Sequence, residues 1–114
     1  MELTAENVKM VMDVAKAMGT VPAPTPGDGY APGDKVFIRS VTNYYTGRVL
    51  RETATDIYLT DAAWIPSTGR FAAFLASGEP DECEPYPDGL VVRVPKGGIV
   101  DACEWRHDLP RKVK

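Results

Sequence analysis

His107 is the only histidine in the chain, and Cys83 and Cys103 are the only thiols. A histidine-dependent nucleophile would need that imidazole beside one of the cysteines, with a third group to orient it. No nucleophile signature surrounds either cysteine. Cys103 and His107 stand four apart, a spacing that suits a helix, yet their segment reads as a strand followed by a proline-bearing tail. With Cys83 they would make three ligands, one short of a closed structural zinc site. The run from Glu79 to Asp88 holds five acids and three prolines, without the Asp/Asn alternation and central glycine of a calcium loop. Gly97-Gly98 follows Pro95 and opens no helix, so no phosphate cradle is expected there. The chain is therefore read as non-enzymatic, with no catalytic residue, metal or cofactor. Cys83 and Cys103 are read as small buried or half-buried apolar groups and His107 as a surface residue.

The bulk properties point the same way. At 114 residues the chain has the size of one domain, and its 44% hydrophobic and 25% charged residues are those of a globular protein. A formal charge of -3 lacks the overall basic balance of a protein bound chiefly by phosphates. No apolar run is long enough to span a membrane, and the start, Met1-Glu2-Leu3-Thr4, lacks a signal peptide's positive charge. Two cysteines are too few for a disulfide framework.

Ten glycines and ten prolines favour short strands and many turns. Residues 1–19 are expected to form a helix, capped by Thr4 and ended by Gly19, because Val8, Val11, Met12, Ala15 and Met18 make one apolar stripe. Residues 20–34 read as a Pro/Gly-rich linker. Strands are expected over Lys35 to Val41, Tyr44 to Glu52 and Asp56 to Trp64, a three-stranded meander rich in β-branched and aromatic residues. A short helix is expected within 67–78, where Phe71, Phe74 and Leu75 share a face and Gly78 can end it. An acidic loop over 79–89 follows, with room for a short edge strand at Cys83 to Tyr86. Leu90 to Val94 and Ile99 to Trp105 read as a hairpin around Pro95-Lys96-Gly97-Gly98. Residues 106–114 form a tail with four basic residues and one acid, expected on the surface or against another subunit.

This order resembles the Sm-like family, whose first motif spans strands one to three and whose second spans four and five. Gly33, Val36, Ile38, Thr46-Gly47 and Leu59-Thr60-Asp61-Ala62 stand at the first motif's glycine, hydrophobic and Leu-x-x-Ala positions. Lys96-Gly97-Gly98-Ile99-Val100 looks like a variant of the second motif's Arg-Gly turn. The segments from Val41 to Gly47, from Asp61 to Ile65 and from Gly98 to Trp105 resemble Sm-like proteins of bacteriophages, prophages and cyanophages.

The resemblance implies a mainly β fold over 35–105, a small, strongly bent five-stranded Sm-like (SH3-type) barrel with an inserted helix, preceded by the N-terminal α-helix. Gly47 is read as the residue that tolerates the sharp bend. The resemblance also implies a homo-oligomeric ring in which the fourth strand pairs with the fifth strand of the next copy. Val91, Val92, Val94, Ile99, Val100 and Ala102 are then the subunit contacts. RNA binding at the family's two loops would fall to Glu52, Thr55, Asp56, Lys96 and Gly97. That match is poor: Thr55 offers no stacking face, Asp56 no amide donor, and Lys96 a point charge in place of a planar fork. Arg48, Arg51, Arg70 and the basic tail, with Tyr44 or Tyr45, are a weaker nucleic-acid surface, for packing tyrosines and solvated arginines explain them as well. The reading favoured is a ring or vertex module of a phage particle, in the virion or the bacterial host cytoplasm, with other phage structural proteins as neighbours. The second reading is a ring holding uridine-rich single-stranded RNA.

Overall fold

The computed structural model describes residues 29–114. The helix expected over 1–19 and the linker residues 20–28 lie outside the described residues. The rest is one antiparallel sheet of six strands and one helix: β1 (Lys35–Ser40), β2 (Tyr44–Glu52), β3 (Asp56–Ser67), α1 (Phe71–Ser77), β4 (Glu82–Pro85), β5 (Val92–Pro95) and β6 (Ile99–Glu104). The strand order is β4-β3-β2-β1-β6, and β5 also pairs with β3.

The meander forms where its turn chemistry places it. Between β1 and β2 the Ser40 N–H donates to the Asn43 carbonyl at 2.8 Å, and the Ser40 hydroxyl accepts from the Asn43 N–H at 2.9 Å. Between β2 and β3 the Thr53 hydroxyl accepts from the Asp56 N–H at 3.0 Å while Thr53 N–H donates to the Asp56 carbonyl at 2.8 Å. Short polar side chains thus satisfy the main-chain groups that the reversals leave unpaired.

Strand alternation loads both faces of the sheet. Val36, Ile38, Val49, Ile57, Leu59, Ala62 and Val94 form an inner cluster, joined at its rim by Tyr30, Tyr45, Tyr86, Val92, Ile99 and Ala102. Phe37, Ala63, Ile65, Phe74, Cys83 and Trp105 form a second cluster on the outer face. The second cluster exists because α1 lays Phe74 against the sheet, with ring centroids 5.1 Å from Phe37 and 5.0 Å from Trp105. Seven residues would not hold a helix alone, so this packing supplies what local propensity does not. Gly78 ends α1 at φ 75°, and a β-carbon there would strike the His107 ring at 2.6 Å.

Curvature comes from register slips. The β2–β3 ladder slips between Thr46 and Arg48 and again between Val49 and Arg51, and the β1–β6 ladder between Arg39 and Ser40. Each slip adds local twist and curls the sheet inward. At the first of them Asp61 takes φ 50°, and it is this residue, not Gly47, that adopts the left-handed backbone.

Three expectations are corrected. Among the described residues the fold has six strands, one more than the expected five, because the short edge strand near Cys83 forms as β4 in addition to the expected fourth strand, seen as β5. Pro85 stands opposite Ala63 and Val92 opposite Leu59, so seven steps of chain face four. Pro87 and the turn at Asp88-Gly89, with Gly89 at φ 79°, carry the excess out of the ladder. The residues from Leu90 to Trp105 form no hairpin: a 3-10 turn at Lys96–Gly98 sends β5 along β3 and β6 along β1, at opposite ends of the sheet. Among the described residues no ladder joins those two ends, so the sheet is curled but open and is not a closed barrel. The tail lies on the surface of its own chain, where Lys114 meets Cys83 of β4.

Candidate functional site

Two places follow from the sequence reading, the outer strands and the loop cluster. Among the described residues, neither β5 nor β6 has a second strand on its outer side. Unpaired strand edges are templates for another strand. Of the expected contact residues, Val100 on β6 is 62% exposed and Val91, just before β5, is 47% exposed. Val92, Ile99 and Ala102 are half-buried at the rim of the inner cluster. Val94 is a correction: at 2% exposure its side chain belongs to the inner core of its own chain, because it stands opposite Ile57 on the concave face. Charges near these edges are few and partly paired, Arg39 bonding Asp101 through two nitrogens and so holding that carboxyl below its usual range.

The five loop residues lie together. The Lys96 N–H donates to the Thr55 carbonyl at 2.8 Å, Asp56 stands opposite Pro95, and Gly97 follows in the same turn. Their charges, however, are spent on each other. Lys96 Nζ donates to Glu52 Oε2 at 2.6 Å, Tyr30 N–H donates to Glu52 Oε1 at 2.8 Å, and Thr55 Oγ1 donates to Asp56 Oδ2 at 2.6 Å. Arg93 approaches Asp56 at 3.9 Å. The Lys96 hydrogen bond, helped by Tyr30 and opposed by burial, holds the Glu52 carboxyl below the usual carboxylate range. A lysine so held is a poor phosphate ligand, since binding one would strip the carboxylate of its partner.

The weaker basic surface is dispersed. Arg48 donates to the Gly33 carbonyl at 3.2 Å and lies 3.8 Å from Asp61, while Arg51 covers the Tyr58 ring at 4.2 Å. Arg70 precedes α1 at an exposed position. Tyr44 packs edge-on against Phe37 at 5.9 Å, and Tyr45 lines the inner cluster, so both tyrosines act as packing groups.

No family model, curated protein or solved structure matches this chain.

The three residues with catalytic potential have different surroundings, although Cys103 and His107 line one shallow pocket beside Trp105. Cys83 is buried in the outer cluster, and burial pushes its thiol up; Cys103 is exposed on β6, with its thiol also raised. His107 spends its ring on packing, edge-on to Trp105 at 5.1 Å with Nε2 2.7 Å from the Leu75 carbonyl. Among the described residues no group of three or more His, Cys, Asp or Glu side chains is arranged to hold a metal, and no helix is long and apolar enough to cross a membrane.

Two features were missed in the sequence. A groove of about 600 Å³ at the β1–β2 turn is lined by Val41, Tyr44, Trp64, Pro66 and Val100 among others, with Trp64 41% exposed. Nothing in the sequence marks Trp64 as outward, since Ala62-Ala63-Trp64-Ile65 is apolar throughout and shows no polar alternation, although in the fold Trp64 points away from its buried neighbours Ala63 and Ile65. The other is Arg111, which clamps the break between β4 and β5. Its signature was legible: a basic tail following an acidic stretch invites pairing between them.

Proposed function

We propose that this chain is a non-enzymatic, Sm-like assembly module that joins copies of itself into a ring, β5 of one copy adding to β6 of the next. The observation that carries the proposal is the placement, at opposite ends of one curled sheet, of two strand edges that have no partner among the described residues. A contact between unlike edges is head-to-tail, and repeating it with a fixed rotation closes a ring. The five-strand path β5-β3-β2-β1-β6 supports the family reading, for it is one bent sheet whose last two strands lie at its two ends. The exposed side chains of Val91 and Val100 supply apolar contact beside the main-chain bonds. Resemblance to phage-encoded Sm-like chains sets this module in a viral particle or its assembly.

Light scattering at micromolar concentration tests the ring. The expected mass is a fixed multiple of 12.4 kDa. Val100→Glu, which puts a charge on the outer strand, is expected to yield single copies that keep the native circular dichroism spectrum. A wild-type mass of one chain overturns the proposal.

The second reading, uridine-rich RNA, draws support from the gathering of Glu52, Thr55, Asp56, Lys96 and Gly97 at one place. The pairing of Lys96 with Glu52 weighs against it, and no RNA retention is expected in filter binding at low salt. Micromolar retention with a steep salt slope, abolished by Lys96→Ala, would favour RNA instead.

A further inference from the structure

The outer edge of β4, unlike those of β5 and β6, is occupied by a segment among the described residues. Cys83 N–H donates to the Lys114 main-chain oxygen at 2.9 Å, and Lys114 N–H donates to the Cys83 carbonyl at 2.9 Å. This is the reciprocal pair of an antiparallel ladder, so the tail acts as a short added strand. Arg111 fixes its place. Nη1 donates to the Ala62 carbonyl at 2.7 Å, and Nη2 donates to the Tyr86 carbonyl at 2.8 Å and to Asp88 Oδ1 at 2.7 Å. The host side of this contact is acidic, with Glu79, Asp81, Glu82, Glu84 and Asp88 around β4; the guest is basic, with Arg111, Lys112 and Lys114. Lys114 Nζ lies 3.6 Å from Glu79.

The guest is lightly held. Beyond Arg111 its side chains are exposed, Val113 at 73%, and a groove of about 630 Å³ remains between the tail and the segment from Gly78 to Cys83. A segment held by one ladder pair, the Arg111 bonds, an exposed ion pair to Glu79 and half-buried Leu109 opens at low free energy compared with the core. Its contacts are also all available to an identical segment from elsewhere.

We propose that the outer edge of β4 is a strand-accepting site for a basic extended segment, and that its second occupant is the C-terminal segment of another copy. The chain's own tail holds the site through proximity, an effective concentration of the order of millimolar for a short tether. Neighbouring copies in an assembly reach the same range, and exchange between them then loses no contact. The proposal does not need the β5–β6 contact: a missing ring shows as a single-chain mass, whereas missing exchange shows as missing cross-links.

The test uses a ¹⁵N-labelled chain lacking residues 110–114, whose β4 edge is empty. A peptide of sequence Asp108–Lys114 is expected to bind it saturably, more weakly as salt rises. Arg111→Ala in the peptide is expected to weaken binding about tenfold or more, the loss of charge-assisted hydrogen bonds. The unlabelled full chain, mixed with it at millimolar concentration and treated with a carbodiimide, is expected to give Lys114-to-Glu79 links that join the two isotopes. A folded truncated chain that binds no peptide, or a mixture without such links, overturns the proposal. Should the truncated chain not fold, full-length ¹⁴N and ¹⁵N chains mixed at the same concentration decide it, and links within one isotope alone are the refuting result.

Discussion

Replacing Gly47 by alanine asks why a glycine stands in the middle of β2. Its φ is not among the left-handed ones, so backbone freedom is not what the position demands. A β-carbon there would lie 3.0 Å from Leu59 Cδ1, 3.1 Å from its Cβ and 3.3 Å from its Cγ, and Leu59 is fully buried. The added methyl must therefore push a core side chain that has nowhere to move. Overpacking of this kind costs about 1 to 3 kcal/mol. Alanine also restricts the unfolded chain, which returns about 0.4 to 1 kcal/mol. A net loss of about 1 to 2 kcal/mol is expected in urea denaturation, with Tm lowered by about 4 to 8 °C per kcal/mol. The decisive measurement is a double-mutant cycle with Leu59→Ala, which removes two of the three close atoms. If space is the reason, Gly47→Ala costs markedly less in that background, with a coupling of about 1 kcal/mol. An equal cost in both backgrounds refutes the close-approach argument and returns Gly47 to a backbone role.

Two further substitutions probe polar groups. Thr46 is fully buried and its hydroxyl has no hydrogen-bond partner among the described residues, so Thr46→Val is expected to stabilise the fold by about 1 kcal/mol in the same urea assay; a loss would show that the hydroxyl is satisfied. The Glu52 carboxyl is held below its ordinary value by the hydrogen bond from Lys96, so its contribution to stability is present above the unfolded-state value, near 4.5, and is lost as pH falls through the lower folded value. Glu52→Gln is accordingly expected to lower stability at neutral pH and to converge with the wild type in acid, and a pH-independent difference between the two would contradict this.

The meander was legible because its signals are local. Strands expected at Lys35 to Val41, Tyr44 to Glu52 and Asp56 to Trp64 are observed at Lys35–Ser40, Tyr44–Glu52 and Asp56–Ser67. The end of β3 was misplaced since Pro66 and Ser67 read as a breaker, whereas the ladder slips just there and accommodates the proline, Ser67 still standing opposite Glu82. The edge strand near Cys83 and the helix ended by Gly78 were likewise visible in turn residues and spacing. What escaped the sequence is long-range. Whether β5 folds back on β6 or crosses to β3 depends on which strand offers Ile57 and Leu59 as partners for Val94 and Val92, and no local pattern states that. The loop residues Glu52, Thr55, Asp56, Lys96 and Gly97 were placed together only through the family resemblance. Their mutual neutralisation depends on side-chain geometry that spacing does not carry.

Ala62 and Ala63 are adjacent in β3, both fully buried, one in each cluster. In a sheet with one wet face, a shift of one residue is punished by water, which meets the oily side chains directly. Here the dry side of β3 changes over at Ala62 and Ala63, from Ile57 and Leu59 in the inner cluster to Ile65 in the outer, so at that point a shift would trade the contents of two compartments and solvent would be a weak referee. Alignment must then be enforced by fit: small alanines where walls are close, large side chains where there is room, and the Asp61 kink as a peg that suits one setting only. Sequence drift in this strand should be bounded by volume far more tightly than by polarity.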